Sequence, residues 1–185
     1  MDHTTQQRTP PMQPSDEATA EHLQLAKAQG DALEGALEAM FGMDQHSRER
    51  RAGDYLVACI TEEAEGLYHL RNGELEWQEP QDENVHLEVS VRDGADGRLI
   101  PGLTIAATLI DDHGKEIGTR LLPFLWHPWL FHYGANWHVP GDGDYTIRLQ
   151  IAAPTFPRHD KINGKRYAES VAVEFENVAI KTGQK

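Results

Sequence analysis

The strongest constraint on the fold is a run of short apolar stretches closed by glycine–aspartate turns. Val85, Leu87, Val89 and Val91 alternate with His86, Glu88 and Ser90, which is the two-residue period of a strand with two unlike faces. Residues 55–60 form a short apolar run rich in β-forming types, and 103–110, 116–122, 144–151 and 168–175 are further candidate strands. Between them lie Arg92-Asp93-Gly94, Asp96-Gly97, Asp111-Asp112-His113-Gly114 and Pro140-Gly141-Asp142-Gly143, all built from residues that turns require. Several short strands at this spacing, with almost no helical period, indicate an all-β protein, an antiparallel β-sandwich.

One helical region precedes the strands. Leu23, Ala26, Leu33, Leu37, Met40 and Phe41 fall on one side at three- and four-residue steps, so the chain from Asp16 to Met43 reads as an amphipathic appendage. Gly30 is expected to divide it, with Asp31 and Glu34 as a capping box for the second piece and Gly42 as its stop. Residues 1–16 are polar and proline-bearing and read as a disordered tail. The expected organisation is thus 1–16 tail, 17–51 helical segment and linker, and 52–185 sandwich.

Charge and cysteine content narrow the function. Thirty acids against 17 bases give a formal net charge of −13, which disfavours nucleic-acid backbones and anionic lipid. No apolar run is long enough to span a bilayer, so direct membrane insertion is not expected. The first residues lack the basic start and apolar stretch of a secretory signal, which leaves a cytoplasmic location open. The single cysteine, Cys59, allows neither an internal disulfide nor a thiolate metal site, and its apolar surroundings make it an inert core thiol. No serine sits in a nucleophile elbow and no glycine-rich loop opens a helix.

Metal chemistry is better supported. His86 and Glu88 project from one face of the same strand, a half-site for a divalent ion; alternatively they form the solvent face of an alternating strand. Residues 122–138 hold His127, His132 and His138 together with Trp126, Trp129 and Trp137. This aromatic loop is expected to give a site apolar walls with a few polar groups. Gly134 would let the backbone bend so that the His132 imidazole points inward; the alternative is a loop histidine packed on aromatics. His127 and His138 are candidate supporting or alternate ligands. His159 lies in a polar loop and, taken alone, reads as an exposed histidine.

Taken together, His86-Leu87-Glu88, Ile100-Pro101-Gly102-Leu103, Pro123 with His132-Tyr133-Gly134, the Pro140–Tyr145 stretch and Arg158-His159-Asp160 resemble the periplasmic iron-transport accessory proteins. These are small, immunoglobulin-like, usually dimeric proteins associated with ferrous-iron permeases, and they bind copper and related ions. The resemblance implies an immunoglobulin-like fold over about residues 54–180, a homodimer, a periplasmic location and an iron permease as partner. It implies His86, His132 and His159 as metal ligands, with Glu88 nearby. The family's methionine ligand falls in the stretch Leu122-Pro123-Phe124, where no thioether is present. Loss of that soft ligand shifts preference towards ions held by imidazole and carboxylate, with His127 or Glu88 completing the shell. Copper and iron lead the list, and manganese and zinc follow.

The expected function is capture of a divalent ion in support of a permease, without catalysis. A metal-dependent oxidase or oxygenase, and a sandwich that binds a non-metal ligand, are the alternatives. Because imidazoles must be neutral to bind, affinity is expected to fall below about pH 6.5.

Overall fold

The computed structural model describes residues 9–41 and 49–185. Two antiparallel sheets pack face to face. The first contains β1 (Glu49–Ala52), β2 (Tyr55–Glu62), β5 (Val85–Asp93), β8 (Phe124–His127) and β9 (Leu130–Trp137), in the order β1-β2-β5-β9-β8. The second contains β6 (Ile105–Ile110), β7 (Glu116–Leu121), β10 (Gly143–Ile151) and β11 (Val171–Ile180), in the order β11-β10-β6-β7. A separate hairpin pairs β3 (Leu67–Arg71) with β4 (Glu74–Gln78). The expected β-sandwich with a helical appendage is what forms. No helix among the described residues is long and apolar enough to cross a membrane.

The alternation in β5 decides the layering. Val85, Leu87, Val89 and Val91 enter one core with Ile105, Leu109, Ile147, Leu149 and Phe175. The opposite row, His86, Glu88, Ser90 and Arg92, is also buried, so the solvent-face alternative for His86 and Glu88 does not hold. The helix α1 (Ala20–Phe41) explains part of this. Leu37 packs on Ala58, Ile60 and Leu130 of the first sheet's outer face, with Leu33, Ala36 and Met40 beside it. Burying Leu37 alone contributes roughly 1.5–3 kcal/mol.

Gly30 does not divide the helix. A Cβ there would stand 1.8 Å from the Asp96 carbonyl oxygen, so the missing side chain lets an unbroken helix cross the β5–β6 turn. The cap is Thr19, whose Oγ1 accepts from the His22 N–H at 3.3 Å, rather than Asp31. The expected stop at Gly42 lies outside the described residues. Residues 9–15 are tied to the sandwich: Thr9 Oγ1 donates to Gly53 O and Ser15 Oγ to Asp160 Oδ2.

Two of the quoted motifs are structural. Tyr133 donates its hydroxyl to Ile100 O at 2.8 Å and accepts from the Leu103 N–H at 3.0 Å, which ties the Ile100–Leu103 segment to β9. Tyr145 likewise donates to Gly141 O at 2.8 Å, closing the turn before β10.

Candidate metal centre

The aromatic stretch is a hairpin rather than a loop. β8 pairs with β9 so that Leu125 faces His132 and His127 faces Leu130, while Phe124 faces Tyr133. Cross-strand partners share a sheet face. His132, Gly134 and Asn136 therefore project on the same outer face as their neighbours in β5, where Glu88 pairs with Gly134 and His86 with Asn136. Phe124 points the other way and stacks on Phe131 with ring centroids 5.4 Å apart. Leu125, rather than Phe124 of the Leu122-Pro123-Phe124 stretch, is therefore the apolar side chain beside His132 on the metal face.

His86, Glu88 and His132 come together. One ligand atom from each lies within 4.8 Å of the others, and His132 Nε2 is 3.6 Å from Glu88 Oε1. Donors sharing one ion at bonds of about 2.0–2.2 Å stand at most about 4.4 Å apart, close to the spacing seen here. The residues are 0%, 4% and 3% exposed. His86 Nε2, Glu88 Oε2 and both ring nitrogens of His132 have no hydrogen-bond partner. Buried polar atoms without partners each cost about 1–3 kcal/mol, and a shared cation would satisfy them together.

The tautomer of His86 is fixed by its neighbour. Asn136 Nδ2 donates to Glu65 O at 2.7 Å, and its Oδ1 accepts from the Glu65 N–H at 3.3 Å. The amide orientation is therefore set, and Oδ1 faces His86 Nδ1 at 2.8 Å. Nδ1 must carry the proton, leaving a lone pair on Nε2 aimed into the centre. Gly134 makes room for this ring, since a Cβ there would lie 2.9 Å from His86 Nε2 and 2.8 Å from Leu87 O. The glycine serves close approach rather than a backbone bend.

Burial sets the charge state. It pushes the Glu88 carboxyl up to about 8, and Glu62 and Glu65 add to the shift. It pulls His132 down to about 4, assisted by His86 and His127. His86 is also held below its ordinary value by burial, against the opposing pull of Asn136, Glu65 and Glu62. Both imidazoles are neutral donors at pH 7, and Glu88 carries the proton.

The other candidates lie elsewhere in the chain. His127 is next to His132, with ring centroids 6.4 Å apart and a buried Nδ1 that lacks a partner. His159 does not join the group within its own chain. Its side chain is 92% exposed, and Nδ1 lies 3.1 Å from Glu17 Oε2. The physical reason is the loop around it. Arg158 bonds the carbonyls of Pro154, Phe156 and Tyr167, and Asp160 accepts from Ser15 and Asn163. Both neighbours face the protein and His159 faces out. His138 bonds Asp82 O at 2.6 Å, apart from the centre. The sequence reading missed Glu65, Gly134's packing role and Asn136. The two-residue steps from His132 to Gly134 to Asn136 put them on one face, but their pairing with Glu88 and His86 needed the strand register.

A cavity of about 1000 Å³ adjoins the centre, lined by Tyr68, Trp77, Trp126, His127 and His132 among others. The apolar walls expected of the aromatic stretch are present there.

The chain is similar to FetP from uropathogenic Escherichia coli strain F11, with 21% identity over 72% of this chain and 93% of that one and a TM-score of 0.59. It is also similar to copper-reconstituted P19 from Campylobacter jejuni, with 19% identity over 74% of this chain and 95% of that one and a TM-score of 0.60. A copper-bound variant of FetP matches at 20% identity over 74% of this chain and 91% of that one, with a TM-score of 0.59. At these identities the likeness establishes the shared β-sandwich. No curated protein sequence matches the chain. The profile described as Fe2+ transport protein matches residues 69–179, more than half of the chain, and the protein therefore belongs to that family.

Proposed function

We propose that this chain is a periplasmic accessory protein for iron transport that captures one divalent ion at His86, Glu88 and His132 and supports a permease. One observation carries the reading: three buried side chains aim ligand atoms without hydrogen bonds at one another within 4.8 Å. Two imidazoles and a carboxylate suit Cu(II), Fe(II), Mn(II) or Zn(II). Copper is named in the structures of FetP and P19, and iron in the family description. His127 stands ready as an additional donor.

His159 fits the reading only through pairing of two copies. In its own chain it faces solvent beside Glu17, so it reaches an ion from the exposed loop of a second chain. Light scattering of the wild type with and without Cu(II), alongside His159→Ala, tests this part separately.

The centre itself is tested by calorimetric titration of tag-free protein with Cu(II) and Zn(II), against a His86→Ala/His132→Ala variant. One ion per chain in the wild type, lost in the variant, is the expected result. Equal uptake by both removes the centre.

A further inference from the structure

β2 ends at the rim of the centre. Glu62 is the cross-strand partner of His86 and shares its face. Glu65 follows, fixed through its backbone to Asn136, and its Oε1 lies 3.8 Å from His86 Nε2. A basic side chain is seated at the same rim. Lys185 pairs with Glu62 through its ammonium group. Its backbone is held independently of that pair. The Lys185 N–H donates to Ala64 O at 2.8 Å, the Ala64 N–H to Gly183 O at 3.0 Å, and the Gly183 N–H to Asn84 O at 2.8 Å. The Gln184 side chain adds bonds to Gln81 O and Glu83 O.

Two carboxylates on a surface do not make a site. Here one of them, Glu65, faces an imidazole nitrogen that is wholly buried and has no hydrogen bond, and the other, Glu62, shares the face of that imidazole. The chain also supplies a cation of its own to Glu62. An ammonium and a divalent ion compete for carboxylate oxygen, but the divalent ion carries twice the charge. The Lys185 side chain is 47% exposed, so it can swing into solvent while its backbone bonds stay in place. Glu62 holds the ammonium above its ordinary pKa, with Glu65 and Glu88 adding to the effect, so it remains charged at neutral pH.

We propose that Glu62 and Glu65 form a capture station at the mouth of the centre, and that Lys185 keeps the station's place until a divalent ion displaces its ammonium from Glu62 and passes on to His86. Lys185 is then an internal competitor that sets how much free ion is needed to load the protein. The proposal rests on the reading of His86, Glu88 and His132 as the metal centre.

Stopped-flow quenching of tryptophan fluorescence by Cu(II) tests it, with calorimetry for stoichiometry. Lys185→Met removes the charge and leaves the backbone bonds. It should bind Cu(II) about three- to tenfold faster at low salt and correspondingly tighter, with the advantage shrinking as salt screens the rim. Lys185→Arg, which keeps the charge, should return the wild-type rate. Glu62→Gln should slow association at least about threefold while one ion per chain still binds. Equal rates and affinities for wild type and Lys185→Met, in a wild type that binds one ion, overturn the competitor role alone. Loss of the ion from Glu62→Gln at equilibrium also overturns it, because Glu62 would then be a ligand. A wild type that binds no ion overturns both this proposal and the metal centre.

Discussion

Loading the centre should expel a proton, and that proton should come from Glu88. Its carboxyl is pushed up to about 8 by burial and by Glu62 and Glu65, while His132 sits near 4 and is already neutral. An ion needs the carboxylate, so the protonated acid must first ionise. With a pKa near 8, about nine-tenths of the chains carry this proton at pH 7, and removing it costs about 1.4 kcal/mol. Zn(II) binding should therefore release about 0.9 proton at pH 7, falling to about 0.5 at pH 8. Affinity should rise about tenfold per pH unit from pH 5 to 7 and level off above 8. Titration calorimetry in buffers of low and high ionisation enthalpy measures the proton directly. Glu88→Gln should bind more weakly, release almost no proton and lose the slope. This differs from the behaviour of solvent-exposed imidazoles, which would place the fall in affinity below about pH 6.5. Near-zero release at pH 7, or an unchanged slope in Glu88→Gln, would refute the argument from burial. The same shift has a sign for stability. A carboxyl raised above its unfolded value contributes stability that is full below about pH 4.5 and lost as pH rises through 8. The ion-free protein should lose melting temperature over that window, and the loaded protein should lose less.

Three other substitutions separate the parts of the structure. Gly134→Ala would place a methyl group 2.9 Å from His86 Nε2; it should cost about 1–3 kcal/mol in denaturant unfolding and weaken Zn(II) binding at least about tenfold. Asn136→Ala removes the acceptor that fixes the His86 tautomer, and calorimetry should show a loss of about 10–100-fold in affinity. Tyr133→Phe breaks the buried bonds to Ile100 and Leu103; it should destabilise by about 1–3 kcal/mol with ion affinity unchanged, since that hydroxyl faces away from the centre.

The strands that feed the core were legible because one of their faces is apolar. β2, β5, β6, β7 and β10 each announce themselves by alternation or by an apolar run. β11 begins later than expected, at Val171. Tyr167 before it takes a left-handed φ of 55°, and its N–H bonds Asp54 Oδ2. β3 and β4 were missed although Asn72-Gly73 between them is a strong hairpin signal; both residues adopt positive φ. Their side chains are mostly exposed, so no buried face marked them. β8 and β9 were read as a loop because aromatic residues occupy both of their faces. The candidate ligands His86, Glu88 and His132 were within reach of sequence alone. Asn136 and Gly134 required the register of β9 against β5, which no local pattern encodes.

The burial of the centre itself could not be read locally, and the chemistry follows from it. An alternating strand with valine on one side and His86, Glu88, Ser90 and Arg92 on the other normally leaves its polar row in water. Here the row is covered, and α1 packs on the same outer face through Leu37. The family match begins at residue 69, so α1 lies outside it. Arg92 meets part of the cost of cover through an ion pair with Glu49, while its Nε has no partner. His86 meets half of it through Asn136. Glu88 and His132 are left without hydrogen bonds at the atoms that face each other. Each orphaned buried group weakens the fold, and a hydrophobic row would pack more cheaply. Four unpartnered atoms, from His86, Glu88 and His132, converge at the centre, while Ser90 Oγ and Arg92 Nε of the same row also lack partners. Lone pairs left open where three donor side chains meet, with His86 held in place by Asn136, are what a preorganised cation site requires.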